Sequence, residues 1–243
     1  MHHPVLGLLN KYHVHAEIKL LKPEDPRPFH AEDHVHSVTF YINPPRYKKM
    51  DEALYFLART VLLPHLSYKT ERLIVRHFQK GDAVHLFESM SDKETCYMDG
   101  GYEPETVMDE KYIQSIDEFS KDPTRFVIAL KENNHAIGMI HVMNIDDRQV
   151  EAKEIGYLIN PSYRRKGYAY EAVSALIHIL QDEFKLDLIL LGACEKNDAS
   201  LSMIKKLGFT FEGRKHKAFW DAELNHPVDL LYYYKDLESE AVQ

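Results

Sequence analysis

A chain of 243 residues, 44% hydrophobic and 28% charged, has the length and apolar content for one large domain or one domain with a smaller companion, and is neither disordered nor fibrous. Its formal net charge of -8 gives no general attraction to nucleic acid or an anionic membrane, so neither is expected as a partner and any anion site must be local. Two cysteines without CxxC spacing, a start with no signal-type apolar core, and no apolar run near the roughly 20 residues that span a bilayer lead to a cytoplasmic expectation.

Up to residue 67 the chain carries seven of its eleven prolines, eight of its fifteen histidines and a single glycine, Gly7. Two runs there, "YHVHAEIKL" and "HSVTFYINP", have strand composition and are joined by the proline-rich "KPEDPRPFHAEDH". Met50, Ala53, Leu54, Leu57 and Val61 then make a helical stripe that Pro64 ends. Strand, strand, helix is too little to fold alone, so 1–67 is expected to be an extension or small subdomain packed on the larger domain or on a second subunit. His13-Val14-His15 and His34-Val35-His36 each put two imidazoles on one face of a strand. Paired strands would bring four ring nitrogens near one zinc ion, but exposed polar strand faces explain the pattern as simply, and no metal is assigned.

From residue 68 the pattern is that of a mixed α/β domain reaching 243. Leu73 to Arg76 reads as a strand, followed by a turn at Gly81 and a helix over Asp82 to Ser91. A second helix is expected over Asp109 to Phe119, then a hairpin in "RFVIALKENNHAIGMIHVMNID" turning at Glu132 to Asn134. A third strand, Glu151 to Asn160, precedes a helix over Tyr168 to Phe184. Strand Leu188 to Ala193, helix Asp198 to Leu207, strand Phe209 to Lys215 and a strand in "VDLLYYYKDL" complete the layout. The stretch between the last two strands, Lys217 to Asp229, reads as a loop whose lone Trp220 suits either an acceptor cleft or a subunit contact.

The turn "NPSYRRKGYAYEA" concentrates Arg164, Arg165 and Lys166 before Gly167 at a strand-to-helix junction. A helix opening at Gly167 or Tyr168 presents unpaired N–H groups and the positive end of its dipole, and the glycine lets backbone approach a ligand. A pyrophosphate fits such a run of donors better than a single carboxylate. The turn is neither a Walker loop nor a GxGxxG turn; its pattern is R-x-x-G-x-A, through Arg164, Gly167 and Ala169.

That hexapeptide resembles the acetyl-CoA pyrophosphate loop of the GNAT N-acetyltransferase superfamily. "EIGYLINPSYRRKGYAYEA", "NDAS" at Asn197 to Ser200 and "LGFTFEG" at Leu207 to Gly213 follow in that superfamily's order, and "TERLIVRHF" at Thr70 to Phe78 is similar to the opening strand of its ribosomal-protein N-terminal acetyltransferase-like branch. The resemblance covers about residues 68 to 237. It implies a mixed sheet splayed between the strands Glu151 to Asn160 and Leu188 to Ala193, with acetyl-CoA as cosubstrate in the opening. Backbone groups of Leu158, Ile159 and Asn160 would pair with the pantetheine arm. Arg164, Arg165, Lys166, Gly167, Tyr168 and Ala169 would hold the pyrophosphate, and Asn197 and Ser200 would touch pantetheine or adenosine.

Acetyl transfer to an amine needs an unprotonated nucleophile, a polarised thioester carbonyl and a proton for the thiolate. Glu154 is the expected base, with Glu151 a second choice that strand alternation puts on the opposite face. The superfamily's usual acid, a tyrosine seven residues after the motif asparagine, is replaced by Ile204; Tyr232, Tyr233 and Tyr234 are available but unassigned. Cys194, with no sequence-local partner, reads as a core thiol. The expected function is direct acetyl transfer from acetyl-CoA to a primary amine, either a protein N-terminus or a small amine, by a possible homodimer. The alternative is a non-catalytic acetyl-CoA-binding sensor or scaffold module.

Overall fold

The computed structural model describes residues 9, 15–20, 29–34, 37–42, 66–99, 103–145, 147–221 and 225–237. The chain divides into two compact units, Met1–Leu66 with Asp182–Lys185, and Ser67–Gln181 with Leu186–Gln243. The first holds a sheet of three strands, β1 (His15–Leu20), β2 (Phe29–His34) and β3 (Ser37–Ile42), in the order β1-β3-β2, with β1 parallel and β2 antiparallel to β3. β2 lies within the proline-rich run expected to be a connection. Its acidic "HAEDH" has low strand propensity, and pairing with β3 makes it a strand. Of "HVH" at 34–36 only His34, the last residue of β2, is among the described residues. The helical stripe from Met50 to Val61, and His13 and His36, lie outside the described residues. Among those described, no group of three or more His, Cys, Asp or Glu side chains is placed to hold a metal ion.

The second unit is built on an eight-stranded mixed sheet made of β4 (Tyr68–Lys69), β5 (Leu73–Arg76), β6 (Arg125–Leu130), β7 (Ala136–Asn144), β8 (Ala152–Ile159), β9 (Leu188–Cys194), β10 (Thr210–Asp221) and β11 (His226–Asp236). The order is β10-β11-β9-β8-β7-β6-β5-β4. Every neighbouring pair is antiparallel except β8 and β9. Five helices accompany it: α1 (Asp82–Ser91), α2 (Lys93–Asp99), α3 (Glu110–Phe119), α4 (Tyr168–Asp182) and α5 (Asp198–Lys206). Helix α2, which periodicity does not signal, is capped by Asp92, whose Oδ2 accepts from Thr95 N at 2.8 Å. β10 runs six residues beyond the expected Lys215, through an irregularity at Lys215–Phe219 where Lys217 takes a left-handed φ of 49°. Most of the expected Lys217–Asp229 loop is therefore strand, because a bulge carries the pairing past the polar stretch.

Phe78, Leu86, Met90, Tyr112 and Ile116 from the α1 and α3 side pack against Val127, Ala129 and Leu158 of the sheet. Helix α4 buries Ala172, Val173, Leu176, Ile177 and Leu180, an apolar stripe at helical spacing, and is tied to β4 by the Tyr68 hydroxyl, which donates to Ala172 O at 2.8 Å. Arg76 at the end of β5 and Asp82 at the start of α1 form a buried two-pronged pair at 2.8 and 3.0 Å, with Arg76 Nε donating to Asn134 Oδ1. Asp82→Ala would strand the guanidinium in the core, and urea unfolding is expected to show a loss of about 3 kcal/mol. A change within about 0.5 kcal/mol would mean that water reaches Arg76.

Candidate active site

β8 is paired with β7 from Lys153 to Ile159, and β9 with β11 along its whole length, but the register between β8 and β9 covers only Ala152–Leu188, Lys153–Ile189 and Glu154–Leu190. Each strand follows its outer partner, so the sheet opens past Glu154. Asn160 N donates to Ile137 O at 2.8 Å on the β7 side. By strand alternation the backbone groups of Leu158 also face β7, while those of Tyr157 and Ile159 face the opening. Of the three backbone positions expected to meet pantetheine, this favours Ile159, whose carbonyl also accepts from Arg164 Nε at 3.2 Å. Asn160 is buried and serves the turn: Oδ1 accepts from Ser162 N at 2.9 Å, Nδ2 donates to Glu88 Oε2 at 2.9 Å, and its carbonyl accepts from Tyr163 N.

The loop beyond it carries two left-handed residues just before a helix start. Arg164 has φ -65°, Arg165 +60° and Gly167 +81°, and Lys166 between the last two is not left-handed. Left-handed residues alternating with ordinary ones are the φ pattern found in anion nests, and the loop runs directly into the N-terminus of α4 at Tyr168 and Ala169. Gly167 is required here for its φ rather than for space, since a Cβ would meet nothing nearer than Arg72 Nη2 at 3.5 Å. The charges are arranged less simply than three adjacent cations imply. Arg164 turns to α2, bonding Glu94 Oε2 at 2.9 Å and Thr95 Oγ1 and lying 3.5 Å from Asp92 Oδ2, so its charge is balanced and it braces the loop. Lys166 Nζ donates to Ser162 O and lies over the Tyr163 ring, and Arg165 is exposed. A further cation reaches the loop from outside it: Arg72, from the β4–β5 turn, which no local signal in the sequence connects with it.

Asn197 caps α5, its Oδ1 accepting from Ser200 N at 3.0 Å. Ser200 Oγ and Tyr157 Oη are 2.9 Å apart, a hydroxyl pair joining β8 to the helix that follows β9, and burial pushes the Tyr157 phenol up. Ile204, at the usual acid position, is fully buried.

Glu154 is the last β8 residue paired with β9, and its side chain shares a face with Gly156 and Leu158. Its Oε1 lies 3.3 Å from where a Cβ on Gly192 would stand, with the Tyr232 ring 3.4 Å from the same point, so Gly192 makes the room the carboxylate occupies. Burial pushes the Glu154 carboxyl above the usual carboxylate range; Lys215 draws it down and Asp147 pushes it up. Glu151 precedes β8, with its N–H donating to Asp187 Oδ2. Tyr232 and Tyr234 pack beside Ala152 and Leu190 on the Glu154 face, whereas Tyr233 is buried edge-on to Phe211. Cys194 is buried, and burial pushes its thiol up, which suits the inert reading.

On that face, between α1, α3, β7 and β8, is a cavity of about 530 Å³ floored by Met139, Met143, Gly156 and Leu158. Met143, at the edge of this lining, is the β7 partner of Glu154, whose carboxylate itself turns toward Gly192 of β9. Asp99, Glu103 and Glu105 contribute to its lining. Arg125 also lines it but is paired with Asp122 at 3.0 Å, and burial and the Arg125 charge lower the His141 imidazole, so the lining has a negative balance at neutral pH.

A mixed sheet that opens between two parallel strands over an anion nest is the architecture of the GNAT acetyltransferases. Residues 72–210 match the family model described as an acetyltransferase (GNAT) domain, and the chain belongs to that family and is an acetyltransferase. It is 29% identical over 179 residues to the uncharacterised N-acetyltransferase YnaD of Bacillus subtilis (strain 168), covering 70% of this chain and 96% of the relative. It is 25% identical over 166 residues to the [ribosomal protein uS5]-alanine N-acetyltransferase of Escherichia coli (strain K12), covering 62% and 81%. A GNAT-family acetyltransferase from Bacillus anthracis superposes with TM-score 0.61 at 28% identity over 72% of this chain and all of that one. The spermidine N-acetyltransferase of Vibrio cholerae, in complex with CoA and spermine, shares the fold with TM-score 0.58 at 19% identity over 69% and 97%. No helix among the described residues is long and apolar enough to cross a membrane.

Proposed function

We propose that the protein transfers an acetyl group directly from acetyl-CoA to a cationic primary amine. The observation that carries this reading is the coincidence, at the point where β8 and β9 part, of an opened strand edge, an anion nest and a half-buried carboxylate. The donor supplies the acetyl group as a thioester. Tyr157 and Ile159 pair their backbone groups with its pantetheine arm, and the N–H groups of Arg165 to Ala169 take the pyrophosphate. Glu154 removes a proton from the incoming ammonium, directly or through one water, and the resulting neutral amine attacks the thioester carbonyl. The Tyr157–Ser200 hydroxyl pair gives a proton to the departing thiolate, the task that Ile204 is unable to perform.

The acidic cavity favours an acceptor with positive charge, and the uS5-alanine relative supports a protein N-terminus over a free small amine. Calorimetric titration with acetyl-CoA, followed by thiol release against basic N-terminal peptides, polyamines, aminoglycosides and neutral amines, tests the whole reading. Binding, with release fastest on a basic peptide, is the expected result. Release fastest on a polyamine keeps the chemistry and replaces the acceptor; binding without release on any amine favours the sensor reading, and absence of binding removes the donor site.

A further inference from the structure

Glu171 is a carboxylate in the first turn of α4, where the helix dipole and unpaired N–H groups favour an anion and a second negative charge would repel a ligand phosphate. The turn between β4 and β5 holds it. Its Oε1 accepts from Thr70 Oγ1 at 2.5 Å and Arg72 N at 2.8 Å, and its Oε2 from Arg72 Nε at 2.6 Å. Burial pushes the carboxyl up, but the bonds from Thr70 and Arg72, with the Arg72 charge, outweigh it and hold it below the usual range.

The rest of the guanidinium reaches past Glu171 onto the loop. Nη1 donates to Lys166 O at 3.0 Å, the guanidinium carbon lies 4.5 Å from the centre of the Tyr168 ring, and Nη2 is 3.5 Å from the point a Gly167 Cβ would occupy. Lys166 stands between the two left-handed residues, Arg165 and Gly167. For Arg165 that conformation is intrinsically unfavourable and persists only where the surroundings impose it. A hydrogen bond to the carbonyl between the two positions is such a constraint.

We infer that Arg72, anchored by Glu171, is a positioning residue for the donor: it holds the Arg164–Gly167 turn in the alternating conformation that aims its N–H groups at the pyrophosphate, and it neutralises the carboxylate one helical turn away. The inference rests on the reading of that turn as the donor loop. A fork with several donors suits the task, since the Glu171 carboxylate and the Lys166 carbonyl are bonded by different nitrogens of one planar group.

The test compares acetyl-CoA with acetyl-pantetheine, which carries the same thioester without pyrophosphate or nucleoside. Arg72→Ala is expected to raise KM for acetyl-CoA about tenfold, leave kcat and the acceptor KM within about twofold, and leave kcat/KM for acetyl-pantetheine unchanged. Arg72→Lys is expected to recover only part of the loss. Glu171→Gln provides the second arm. It removes a negative charge beside the phosphates, yet by releasing Arg72 it is expected to weaken acetyl-CoA binding, and tighter binding would overturn the inference. Equal losses on both donors would make Arg72 a general structural residue and overturn it as well. A wild-type enzyme that uses acetyl-pantetheine as well as acetyl-CoA would overturn the donor-loop reading and this inference with it, whereas a wild-type preference that Arg72→Ala leaves intact would overturn the inference alone.

Discussion

Gly167→Asp is expected to weaken acetyl-CoA binding by at least about a hundredfold in a calorimetric titration while leaving the protein folded. Two effects add. Gly167 has φ +81°, a region where an L side chain costs roughly 1 kcal/mol, less for aspartate than for most residues. The larger effect is electrostatic, since a carboxylate about 5 Å from one phosphate charge, at an effective dielectric of about 20, opposes binding by about 3 kcal/mol. The new carboxylate would also have Arg72 Nη2 within reach and would compete with Lys166 O for it. Gly167→Ala separates the two contributions, because it keeps the backbone strain without the charge and should cost about fivefold. Donor affinity unchanged in the aspartate variant would remove the pyrophosphate from this loop.

Glu154→Gln is expected to lower kcat at neutral pH by about a hundredfold or more, within the usual contribution of a general base, and to leave acetyl-CoA affinity within about twofold. The direction of the Glu154 shift predicts two further signs. A raised carboxyl must lose its proton to act as a base, so the acid limb of the kcat/KM profile should lie above the ordinary carboxylate range and be absent from the glutamine variant. A group whose folded pKa is raised contributes stability that is present below its unfolded value and lost as pH rises through the folded value. At neutral pH the ionised Glu154 therefore opposes folding, and Glu154→Gln should melt at a higher temperature than the wild type. Wild-type turnover in the variant would reduce Glu154 to a strand residue. Lost turnover together with a lower melting temperature would assign it to packing.

The family was legible because its signature is local. Arg164, Gly167 and Ala169 lie within six residues, and the demands on them, a left-handed backbone position and an uncapped helix start, are properties of that short stretch. Arg125–Leu130 and Tyr168–Asp182 were equally plain, since burial on both faces makes the first a continuous apolar run and burial on one face gives the second its helical stripe. β2 and α2 were not, because one depends on a partner strand and the other is short and carries no apolar stripe.

The partners of the charged residues were hidden for the same reason. Three adjacent cations look like one positive patch, yet Arg164 is balanced by Asp92 and Glu94, some seventy residues earlier, while a further cation, Arg72, reaches the loop from the opening turn of the unit. The sequence by itself determined the fold class, the left-handed turn at the start of α4 and the strand that carries Glu154, because each rests on periodicity or on backbone demands within a few residues. Only the tertiary structure decided which backbone groups face the opening, which hydroxyls meet at Tyr157 and Ser200, and which arginine reaches the loop. Those depend on register and on side chains brought together from distant segments, and neither leaves a trace in local order.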